Sequence, residues 1–280
     1  MARVLGRLRI PTAIPRFAVL GSLFCLLACD DAQGQVACTV PDAIRTRVDG
    51  PPPPEEWYET RWVAGDEGSA VPLGAGHIRY SDRNPWIDRP PGEEDWLRRV
   101  ELPLSSAPGE PASAWITQGW VLPGEGDPVA LARADQVETG YEEWSLIVLE
   151  AEPGWLRVRY AGDIAGSGWV PECALDEGPV LLDYFPWSEW LTSDAISPLF
   201  FRADAPDDLF TSPAEGADRA PIGAEYHLEP LEVRGSWMRV RVSEPSDYCE
   251  FDIEAETREG WVRWYDATAG PRVWYYTRGC

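Results

Sequence analysis

A tryptophan-centred pattern recurs along this chain and constrains its fold more than any other feature. Two clear copies lie at 154–170 and 237–262, and a weaker copy lies at 96–121. In the clear copies apolar residues alternate with arginines at a period of two, which is typical of a half-buried β-strand. We therefore predict that each copy forms a β-hairpin whose connecting loop varies in length. The copies read Gly154-Trp155-Leu156-Arg157-Val158-Arg159-Tyr160 before Gly168-Trp169-Val170, Trp237-Met238-Arg239-Val240-Arg241-Val242 before Gly260-Trp261-Val262, and Trp96-Leu97-Arg98-Arg99-Val100 before Gly119-Trp120-Val121.

Strand signals also dominate the rest of the chain beyond residue 57. Short apolar runs are bounded by Gly, Pro, Asp and Ser, a spacing that favours many short strands joined by turns. Further strands are predicted at 145–149 and 228–233, and 187–196 is the best candidate for a short helix. The sequence therefore predicts an all-β protein.

The repeated pattern, W-hydrophobic-R-V-R … G-W-V, resembles the second half of bacterial SH3-type (SH3b-like) domains. The lead-in to the last copy resembles the R-x-x-P … V-I-G opening of that family, and it reads Leu209-Phe210-Thr211-Ser212-Pro213 before Pro221-Ile222-Gly223. The resemblance implies tandem small β-barrels of five strongly bent strands, two of them clear and a third weaker. Domains of this family bind cell-wall peptide or glycan, or serve as scaffolds for envelope proteins and enzymes.

These features divide the chain into six predicted segments. Whether residues 57–95 belong to the first barrel stays open at this point. The segments are a signal peptide at 1–28, a lipidated N-terminus and Pro-rich tether at 29–56, a weak SH3-like unit at 57–124, an SH3-like unit at 125–176, an aromatic-rich connector at 177–208, and an SH3-like unit with an acidic loop at 209–280.

The N-terminal residues have the features of a lipoprotein signal. Four arginines precede the first acidic residue, and an apolar run extends from Phe17 to Ala28. That run is shorter than the roughly twenty residues needed to span a bilayer. It ends in Leu26-Leu27-Ala28-Cys29, which resembles a bacterial lipobox, so we expect acylation of Cys29 and a membrane anchor through the lipid. An ordinary cleaved signal and an N-terminal membrane helix are the alternatives.

A lipidated Cys29 predicts a location in the bacterial cell envelope, facing the periplasm. Asp30 resembles the residue that favours inner-membrane retention in enteric bacteria, but that rule varies between lineages, so the inner and outer membranes both stay open. The following segment is polar and ends in four prolines at 51–54. Such a run favours a stiff polyproline II spacer, with a PxxP ligand for a partner protein as the alternative.

Four cysteines follow the predicted lipidation site, namely Cys38, Cys173, Cys249 and Cys280. In an oxidising compartment they are expected to form disulfides, and four cysteines allow three pairings. We predict Cys38–Cys173 and Cys249–Cys280, of which the second ties the chain end to the last domain. No two of them have CxxC spacing, so neither a zinc site nor a thioredoxin-like motif is indicated, and no bound metal is predicted.

Strand alternation gives each clear hairpin an arginine-bearing face and an apolar face. Because arginine is rarely buried without a partner, we predict that the arginine-bearing faces contact solvent or line a groove. A tryptophan on such a face can stack on a sugar ring, on a peptide or beneath a neighbouring arginine. The alternative is that these tryptophans cap the barrel or pack against the next domain. The candidate ligand-binding residues are Trp155, Arg157, Arg159, Trp237, Arg239 and Arg241.

The second element of each copy has a tryptophan between Gly and Val. We predict that Trp120, Trp169 and Trp261 belong mostly to the core. A glycine at the start of a strand suggests a tight turn or a bulge there.

The loop of the last unit carries a strictly alternating acidic segment at 250–256. We predict a strand with Phe251, Ile253 and Ala255 inside and the carboxylates outside. Such a row of carboxylates could bind calcium or a basic partner, but a straight strand does not surround an ion. The alternative is a solvated face or a protected sheet edge.

No catalytic motif is apparent, and the protein is predicted not to be an enzyme. The two histidines are separate in sequence: His77 sits in the turn-like segment Gly74-Ala75-Gly76-His77, and His227 lies at the start of a predicted strand. The GxSxG, GxGxxG, HExxH and Walker patterns are missing, so no cofactor is predicted. A hydrolase based on paired carboxylates is the one catalytic class that stays open.

Charge restricts the class of partner. The formal net charge is −23, and every basic residue other than His is arginine. A chain this acidic is repelled by phosphate backbones, so nucleic acid is not an expected partner. The leading hypothesis is a non-enzymatic envelope lipoprotein that acts as a scaffold or binding module for an envelope protein. The alternative is a peptidoglycan-binding protein that contacts cell-wall peptide or glycan through the Trp-Arg faces.

Overall fold

In the described residues of the computed structural model, the regular structure consists mostly of short antiparallel strands, which confirms the all-β prediction. The helices within the described residues have three or four residues, and none of them is long and apolar enough to cross a membrane. The structure describes residues 37–53, 72–84, 96–131, 136–141, 143–161, 166–193, 196, 198–202, 208–246 and 254–277.

The strands fall into two consecutive groups, here named the N-terminal module (residues 76–186) and the C-terminal module (residues 200–274). The N-terminal strands are β1 Gly76–Tyr80, β2 Leu102–Ser105, β3 Ala112–Thr117, β4 Trp120–Pro123, β5 Val129–Ala130, β6 Gln136–Gly140, β7 Glu143–Glu152, β8 Trp155–Arg159, β9 Ser167–Pro171 and β10 Leu182–Pro186. The C-terminal strands are β11 Phe200–Phe201, β12 Asp208–Phe210, β13 Arg219–Pro221, β14 His227–Arg234, β15 Trp237–Glu244, β16 Glu256–Arg263, β17 Tyr265–Asp266, β18 Gly270–Pro271 and β19 Val273–Trp274. The short helices are α1 Asp42–Arg45, α2 Ala174–Glu177 and α3 Trp187–Trp190, with a 3-10 helix at Trp96–Arg98.

The predicted strands are confirmed in place, whereas the predicted helix segment is confirmed only over its first four residues. The segment 145–149 lies within β7, 228–233 lies within β14, and 187–196 begins with α3. The two clear hairpins are also confirmed, because β8 pairs with β9 and β15 pairs with β16 in antiparallel register. The local alternation of side chains was therefore sufficient to place these elements.

The ten strands of the N-terminal module belong to a single hydrogen-bonded sheet. Its order is β10-β1-β7-β8-β9-β2-β3-β4-β5, and β6 pairs with β7. The sequence had divided these strands between units at 57–124 and 125–176 and a connector at 177–208. The ladders join them instead, because β2 pairs with β9 and β10 pairs with β1. No ladder among the described strands closes this sheet into a barrel.

The C-terminal module repeats the strand order of the N-terminal module. Its main sheet runs β13-β12-β16-β15-β14, which matches β3-β2-β9-β8-β7 strand for strand. Beyond β14, Leu199 bridges to Leu228 beside the β11–β19 pair, as β1 and β10 extend the N-terminal sheet beyond β7. The chain therefore contains one strand topology twice, and residues 102–105 supply the second strand of the N-terminal copy.

The register of the two modules agrees residue by residue. Arg157 pairs with Trp169 as Arg239 pairs with Trp261. Both modules also have a register shift in the strand before the hairpin, between Val148 and Glu150 and between Pro230 and Glu232. A bulge bends and twists its strand, so the two sheets bend at the same point.

Close packing explains the glycine of the Gly-Trp-Val pattern. A Cβ on Gly260 would lie 2.6 Å from Cγ of Leu209, and a Cβ on Gly168 would lie 3.0 Å from Cβ of Leu104. Leu104 and Leu209 occupy equivalent positions on the neighbouring strands. Neither Gly168 nor Gly260 has a positive φ, so the predicted tight turn or bulge is wrong for the two clear copies, where the glycines instead make room for a leucine. The prediction is confirmed for the weak copy, because Gly119 lies in the turn between β3 and β4 with a φ of 80°.

The weakest copy of the pattern does not form a hairpin. Trp96 lies in the 3-10 helix and is buried, and its indole Nε1 donates to the carbonyl of Trp144 at 3.1 Å. The strand that carries Trp120 pairs with β3 instead. The prediction of a strand at 96–100 is wrong because two adjacent arginines there interrupt the alternation on which a strand face depends.

The N-terminal segment 37–53 packs on the N-terminal module, although the sequence placed it in a tether. Arg45 donates from Nε to both carboxylate oxygens of Glu101, at 2.9 and 3.0 Å. The indole Nε1 of Trp120 donates to the carbonyl of Gly50 at 2.8 Å. These contacts hold the segment beside the start of β2 and along β4.

A disulfide joins this segment to the N-terminal module. Cys38 bonds to Cys173, which confirms the predicted pair across a sequence separation of 135 residues. Cys29, Cys249 and Cys280 lie outside the described residues, as do Phe251 and Ile253 of the acidic segment.

The two modules share a hydrophobic core. Strand β7 is buried on both sides, because Leu146 and Val148 face the core of the N-terminal module while Ile147 joins a second cluster. That second cluster also contains Trp187 of α3 and the apolar face of β15, represented by Met238. The modules are therefore joined through packed side chains and not only through the chain.

Candidate functional site

The outer face of the C-terminal sheet brings together three of the predicted ligand-binding residues. Along β15, Met238, Val240 and Val242 are fully buried in the core. Trp237, Arg239 and Arg241 alternate with them and therefore lie on the opposite face. The predicted division of this strand into a core face and an arginine-bearing face is confirmed.

Trp237 nevertheless is not open to solvent, since only 8% of it is exposed. The Phe210 ring meets it edge to face at 5.0 Å between centroids. The guanidinium of Arg263 lies 4.7 Å from the Trp237 ring centroid. The prediction that Trp237 faces solvent is wrong, because a neighbouring ring and a neighbouring cation cover it.

The same arrangement of arginine over an aromatic ring recurs across the face. Arg234 lies 5.0 Å from the ring centroid of Trp261, and Arg219 lies 5.9 Å from that of Phe210. Trp261 is itself buried, as predicted for the core tryptophans. We name this surface the Arg-aromatic face, and its members are Phe210, Trp237, Trp261, Arg219, Arg234, Arg239, Arg241 and Arg263.

Each arginine of the Arg-aromatic face has a carboxylate partner. Hydrogen bonds from Arg241 to Glu229 and Glu259 raise the pKa of its guanidinium above the ordinary value. The Arg-aromatic face therefore presents alternating guanidinium and carboxylate groups, which lie over aromatic rings. The ion pairs are Arg219–Asp208 at 2.8 Å, Arg234–Glu232 at 2.6 Å, Arg239–Glu259 at 2.6 Å, Arg241–Glu229 at 2.6 Å and Arg263–Glu215.

The equivalent face of the N-terminal module carries Trp155, Arg157 and Arg159, and it is built differently. Trp155 is half-buried, and Arg157 donates to Glu150 at 2.6 Å and to the hydroxyl of Ser167 at 2.9 Å. Arg159 is only 2% exposed, and its Nε donates to the backbone carbonyl of its near neighbour Ala161 at 3.0 Å. The prediction that Arg159 contacts solvent is therefore wrong. The six candidate residues belong to two sheets and do not form one groove.

The aromatic-rich connector contributes a second cluster that sequence reasoning missed. His77 lies within β1 and is fully buried, so the prediction that it sits in a turn is wrong. Its ring stacks on Trp187 at 4.6 Å and on Phe185 at 5.5 Å, and Trp190 meets it edge-on at 4.7 Å. Burial and the nearby charge of Arg79 lower the pKa of His77 well below its ordinary value. The density of aromatic residues in 177–208 was the available signal.

The remaining titratable groups among the described residues do not form a metal-binding cluster. No group of three or more His, Cys, Asp and Glu side chains there is placed to hold a metal ion. His227 begins β14, as predicted, and its Nδ1 lies 3.2 Å from the hydroxyl of Ser246. Of the acidic segment, Glu254 and Glu256 are exposed, and Glu256 begins β16.

Known proteins offer no further guide to the site. No family model matches the chain, and searches of curated proteins and of solved structures gave no match. Any function must therefore be inferred from the chemistry of the Arg-aromatic face and of the buried aromatic cluster.

Proposed function

We propose that this protein is a lipid-anchored, non-enzymatic protein of the bacterial envelope whose two SH3-like modules form a rigid scaffold for a protein partner. The SH3-like assignment is supported by the resemblance of the repeated motif and by the recurrence of one strand order around it. The proposal assigns one SH3-like module to each copy of that strand order, and therefore two modules where the sequence predicted three units. In this proposal the C-terminal module presents the binding surface.

The covering of Trp237 and Trp261 by arginines is the observation that carries the proposal. A sugar ring stacks on a bare indole, and here Arg263 and Arg234 already occupy that position. The groups left accessible are the edges of guanidinium and carboxylate groups. Arginine over an aromatic ring is enriched at protein interfaces, where its N–H groups bind carboxylates in a fixed geometry. A protein partner therefore fits this surface better than a glycan strand does.

Exposed ion pairs do not prevent such docking. An exposed pair contributes about 0–1 kcal/mol to stability, so a partner can exchange its own carboxylates and donors for the internal ones. The side chain of Arg239 is 45% exposed and that of its partner Glu259 is 39% exposed. Both members of the pair are available to an incoming surface.

The packing of the modules supports a scaffold role. Ile147 of β7 and Trp187 of α3 belong to the same buried cluster as the core of the C-terminal sheet. A hydrophobic interface of this kind restricts domain motion. A partner bound to one module would therefore be held in a fixed orientation relative to the other.

The envelope location is supported by the lipobox-like residues at 26–29 and by the Cys38–Cys173 disulfide. Disulfides persist in oxidising compartments such as the periplasm and are rare in the bacterial cytosol. In the proposal, acylated Cys29 attaches the chain to the inner or outer membrane. The formal charge of −23 disfavours nucleic acid as a partner.

Binding to peptidoglycan is a second candidate, favoured by one observation. Five arginines are concentrated on the Arg-aromatic face of an otherwise strongly acidic chain. Peptide stems of the cell wall carry carboxylates, and guanidinium groups bind carboxylates. Such binding would use the same arginines and would depend on salt concentration.

One experiment separates the two candidates. Chain carrying Cys29→Ser is incubated with purified cell-wall sacculi and, separately, with a crosslinker and detergent-extracted envelope proteins. The test variant is Arg239→Gln/Arg241→Gln, and the matched control is Arg157→Gln in the equivalent strand of the N-terminal module. The side chains of Arg239, Arg241 and Arg157 are 45%, 41% and 26% exposed, and none lies in the apolar core, so both variants are expected to remain folded.

A discrete crosslinked protein that is lost in Arg239→Gln/Arg241→Gln and kept in Arg157→Gln supports the scaffold proposal. Saturable pelleting with sacculi that is lost in the same variant supports the wall-binding candidate. If neither occurs, or if Arg157→Gln abolishes binding to the same extent, the Arg-aromatic face is not the binding surface and both candidates are contradicted.

A further inference from the structure

His77 is a titratable side chain that lies in the buried junction between the two modules. It is 0% exposed, and neither Nδ1 nor Nε2 has a hydrogen-bond partner among the described residues. Both nitrogens of a charged imidazole are donors, and a buried donor without an acceptor is strongly disfavoured. The folded protein therefore requires His77 to be neutral.

The rings around His77 belong to the junction between the modules. We name His77, Phe185, Trp187 and Trp190 the histidine cluster. Its α3 members make the contact with the C-terminal module, where Trp187 meets Trp274 of β19 edge to face at 5.0 Å. His77 thus belongs to the N-terminal module but stacks on the helix that joins the modules.

A chain of hydrogen bonds crosses the same junction. The indole Nε1 of Trp190 donates to the hydroxyl of Tyr275 at 2.7 Å, and that hydroxyl donates to the carbonyl of Thr139 in β6 at 2.8 Å. Burial raises the pKa of Tyr275, so its hydroxyl remains a donor near neutral pH. Displacement of α3 would break these bonds and the Trp187–Trp274 contact together.

The charged groups near the histidine cluster do not favour a positive charge on His77 in addition to that of Arg79. On the strand of His77, Arg79 lowers the pKa of the imidazole by its charge, and its guanidinium lies 5.4 Å from the Trp190 ring centroid. From β7, Glu143 is engaged by Arg79 at 3.2 Å and by the hydroxyl of Tyr80 at 3.0 Å.

The other elements packed around the cluster contribute further titratable groups. On α3, Glu189 is exposed, and on β10 the pKa of Tyr184 is raised to about 12, so that residue stays neutral. Buried Glu138 of β6 raises the pKa of Tyr275 by its charge. None of these groups accepts a hydrogen bond from His77 in the described structure.

We propose that the histidine cluster is an acid-sensitive latch between the two modules, which is closed while His77 is neutral and opens when His77 is protonated. Protonation places a second positive charge beside Arg79 and adds a second N–H donor to the one that neutral imidazole already carries, so that two buried N–H groups lack acceptors. A movement of α3 away from β1 would expose these N–H groups to water most directly. That movement would also separate Trp187 from Trp274.

The sign of the pH dependence follows from the lowered pKa of His77. The ordinary value of 6.5 applies when the latch is open, and the closed state has a lower one. The closed state therefore has its full stability above about pH 6.5 and loses it as the pH falls towards the lower pKa. Each pH unit in that window shifts the open-to-closed ratio by up to about tenfold.

The chain has two histidines, so each can be replaced separately to test the proposal. Hydrogen exchange with mass spectrometry follows the protection factors of peptides covering 185–191 and 272–276 in the full chain between pH 7.5 and 5.0. The proteins are wild type, His77→Phe, which keeps a ring but cannot titrate, and the matched control His227→Phe. NMR of imidazole-labelled wild type reports the His77 titration directly and does not depend on the folding of any variant.

The proposal expects protection in both peptides of wild type and of His227→Phe to fall by up to about tenfold per pH unit below pH 6.5. Protection in His77→Phe should stay constant. The proposal is overturned if wild-type protection is independent of pH, or if His77→Phe retains the same dependence. It is also overturned if the His77 resonance titrates at its ordinary pKa of about 6.5 while protection stays high.

Discussion

The N-terminal and C-terminal modules use the same strand order and register but present different outer faces. Trp155 and Trp237 are equivalent, and so are the residues opposite them: Pro171 faces Trp155 where Arg263 faces Trp237. In the neighbouring strand, Ser105 replaces Phe210. Without the ring and the cation, Trp155 stays half-buried, whereas Trp237 is covered.

The two faces show that the repeated motif specifies a hairpin and not a surface. The arginines of the two hairpins differ in the same way, because Arg159 is buried against a backbone carbonyl and its equivalent Arg241 is half-exposed and bonded to Glu229 and Glu259. The exposure of a motif residue is set by the neighbouring strand and loop. Function therefore has to be assigned to each module separately.

The largest expected difference between the modules is the effect of removing the equivalent tryptophans. Trp237→Ala should lower the free energy of unfolding by about 3–5 kcal/mol, the range for a buried aromatic side chain. Trp155→Ala should cost less than Trp237→Ala because its ring is already partly hydrated. Urea denaturation of both variants measures this difference. Equal costs would show that the two faces are packed alike, contrary to the structure.

The disulfide should stabilise the fold and, most directly, the packing of the segment 37–53 on the N-terminal module. Loss of Cys38–Cys173 through Cys38→Ser is expected to cost about 2–4 kcal/mol, because the bond restricts a long loop in the unfolded chain. Limited proteolysis should then cut the segment 37–53 faster and leave the C-terminal sheet intact. The cleavage pattern of Cys173→Ser serves as the control and should match. Unchanged proteolysis of both would contradict the observed packing of that segment.

The equivalent glycines should differ in their tolerance of a methyl group. Gly260→Ala is expected to cost about 2–3 kcal/mol and Gly168→Ala about 1 kcal/mol, the range for overpacking a core. The reason is that the added Cβ meets Leu209 Cγ at 2.6 Å and the backbone oxygen of Phe210 at 2.8 Å in the first case, and only Leu104 at 3.0 Å in the second. Thermal melting of both variants at pH 7 provides the measurement. The reverse order would contradict the close packing assigned to β12 and β16.

The smallest expected effect belongs to the Arg-aromatic face itself. Arg239→Gln removes an exposed pair with Glu259 and should change stability by about 0–1 kcal/mol. A double-mutant cycle with Glu259→Gln isolates the pairwise part. A coupling well above 1 kcal/mol would mean that the face is an internal structural network and not an exchangeable binding surface.

Much of the fold could be predicted from local patterns. The alternation of apolar and polar residues at 155–159 and 237–242 predicted both hairpins, because the two-residue period of a half-buried strand can be read directly from the sequence. Strand β2 was missed as a member of the second unit, because Leu102-Pro103-Leu104-Ser105 carries no charge that would mark a face. The strands inserted between β3 and β7 also separate it from its partners in sequence.

The candidate site could be predicted only in part. The strand period correctly placed Trp237, Arg239 and Arg241 on one face. It could not predict that Arg263 covers Trp237, since this contact depends on the register between two strands. His77 was assigned to a turn because glycines precede it, whereas pairing with β7 and β10 makes it part of a strand. Burial of that histidine depends on a connector more than a hundred residues later in the chain.

The most direct test of the central claim is photo-crosslinking in living cells from equivalent positions of the two modules. A photoreactive amino acid replaces Glu232, which lies opposite Arg239, in one protein and the equivalent Glu150, which lies opposite Arg157, in another, so that the arginines of both faces are kept. Cys29 is left intact so that lipidation can occur. A binding surface on the C-terminal module predicts a discrete crosslinked protein from position 232, its loss on addition of Arg239→Gln/Arg241→Gln, and no such product from position 150. The absence of a discrete product from position 232, or an equal product from position 150, would contradict the claim.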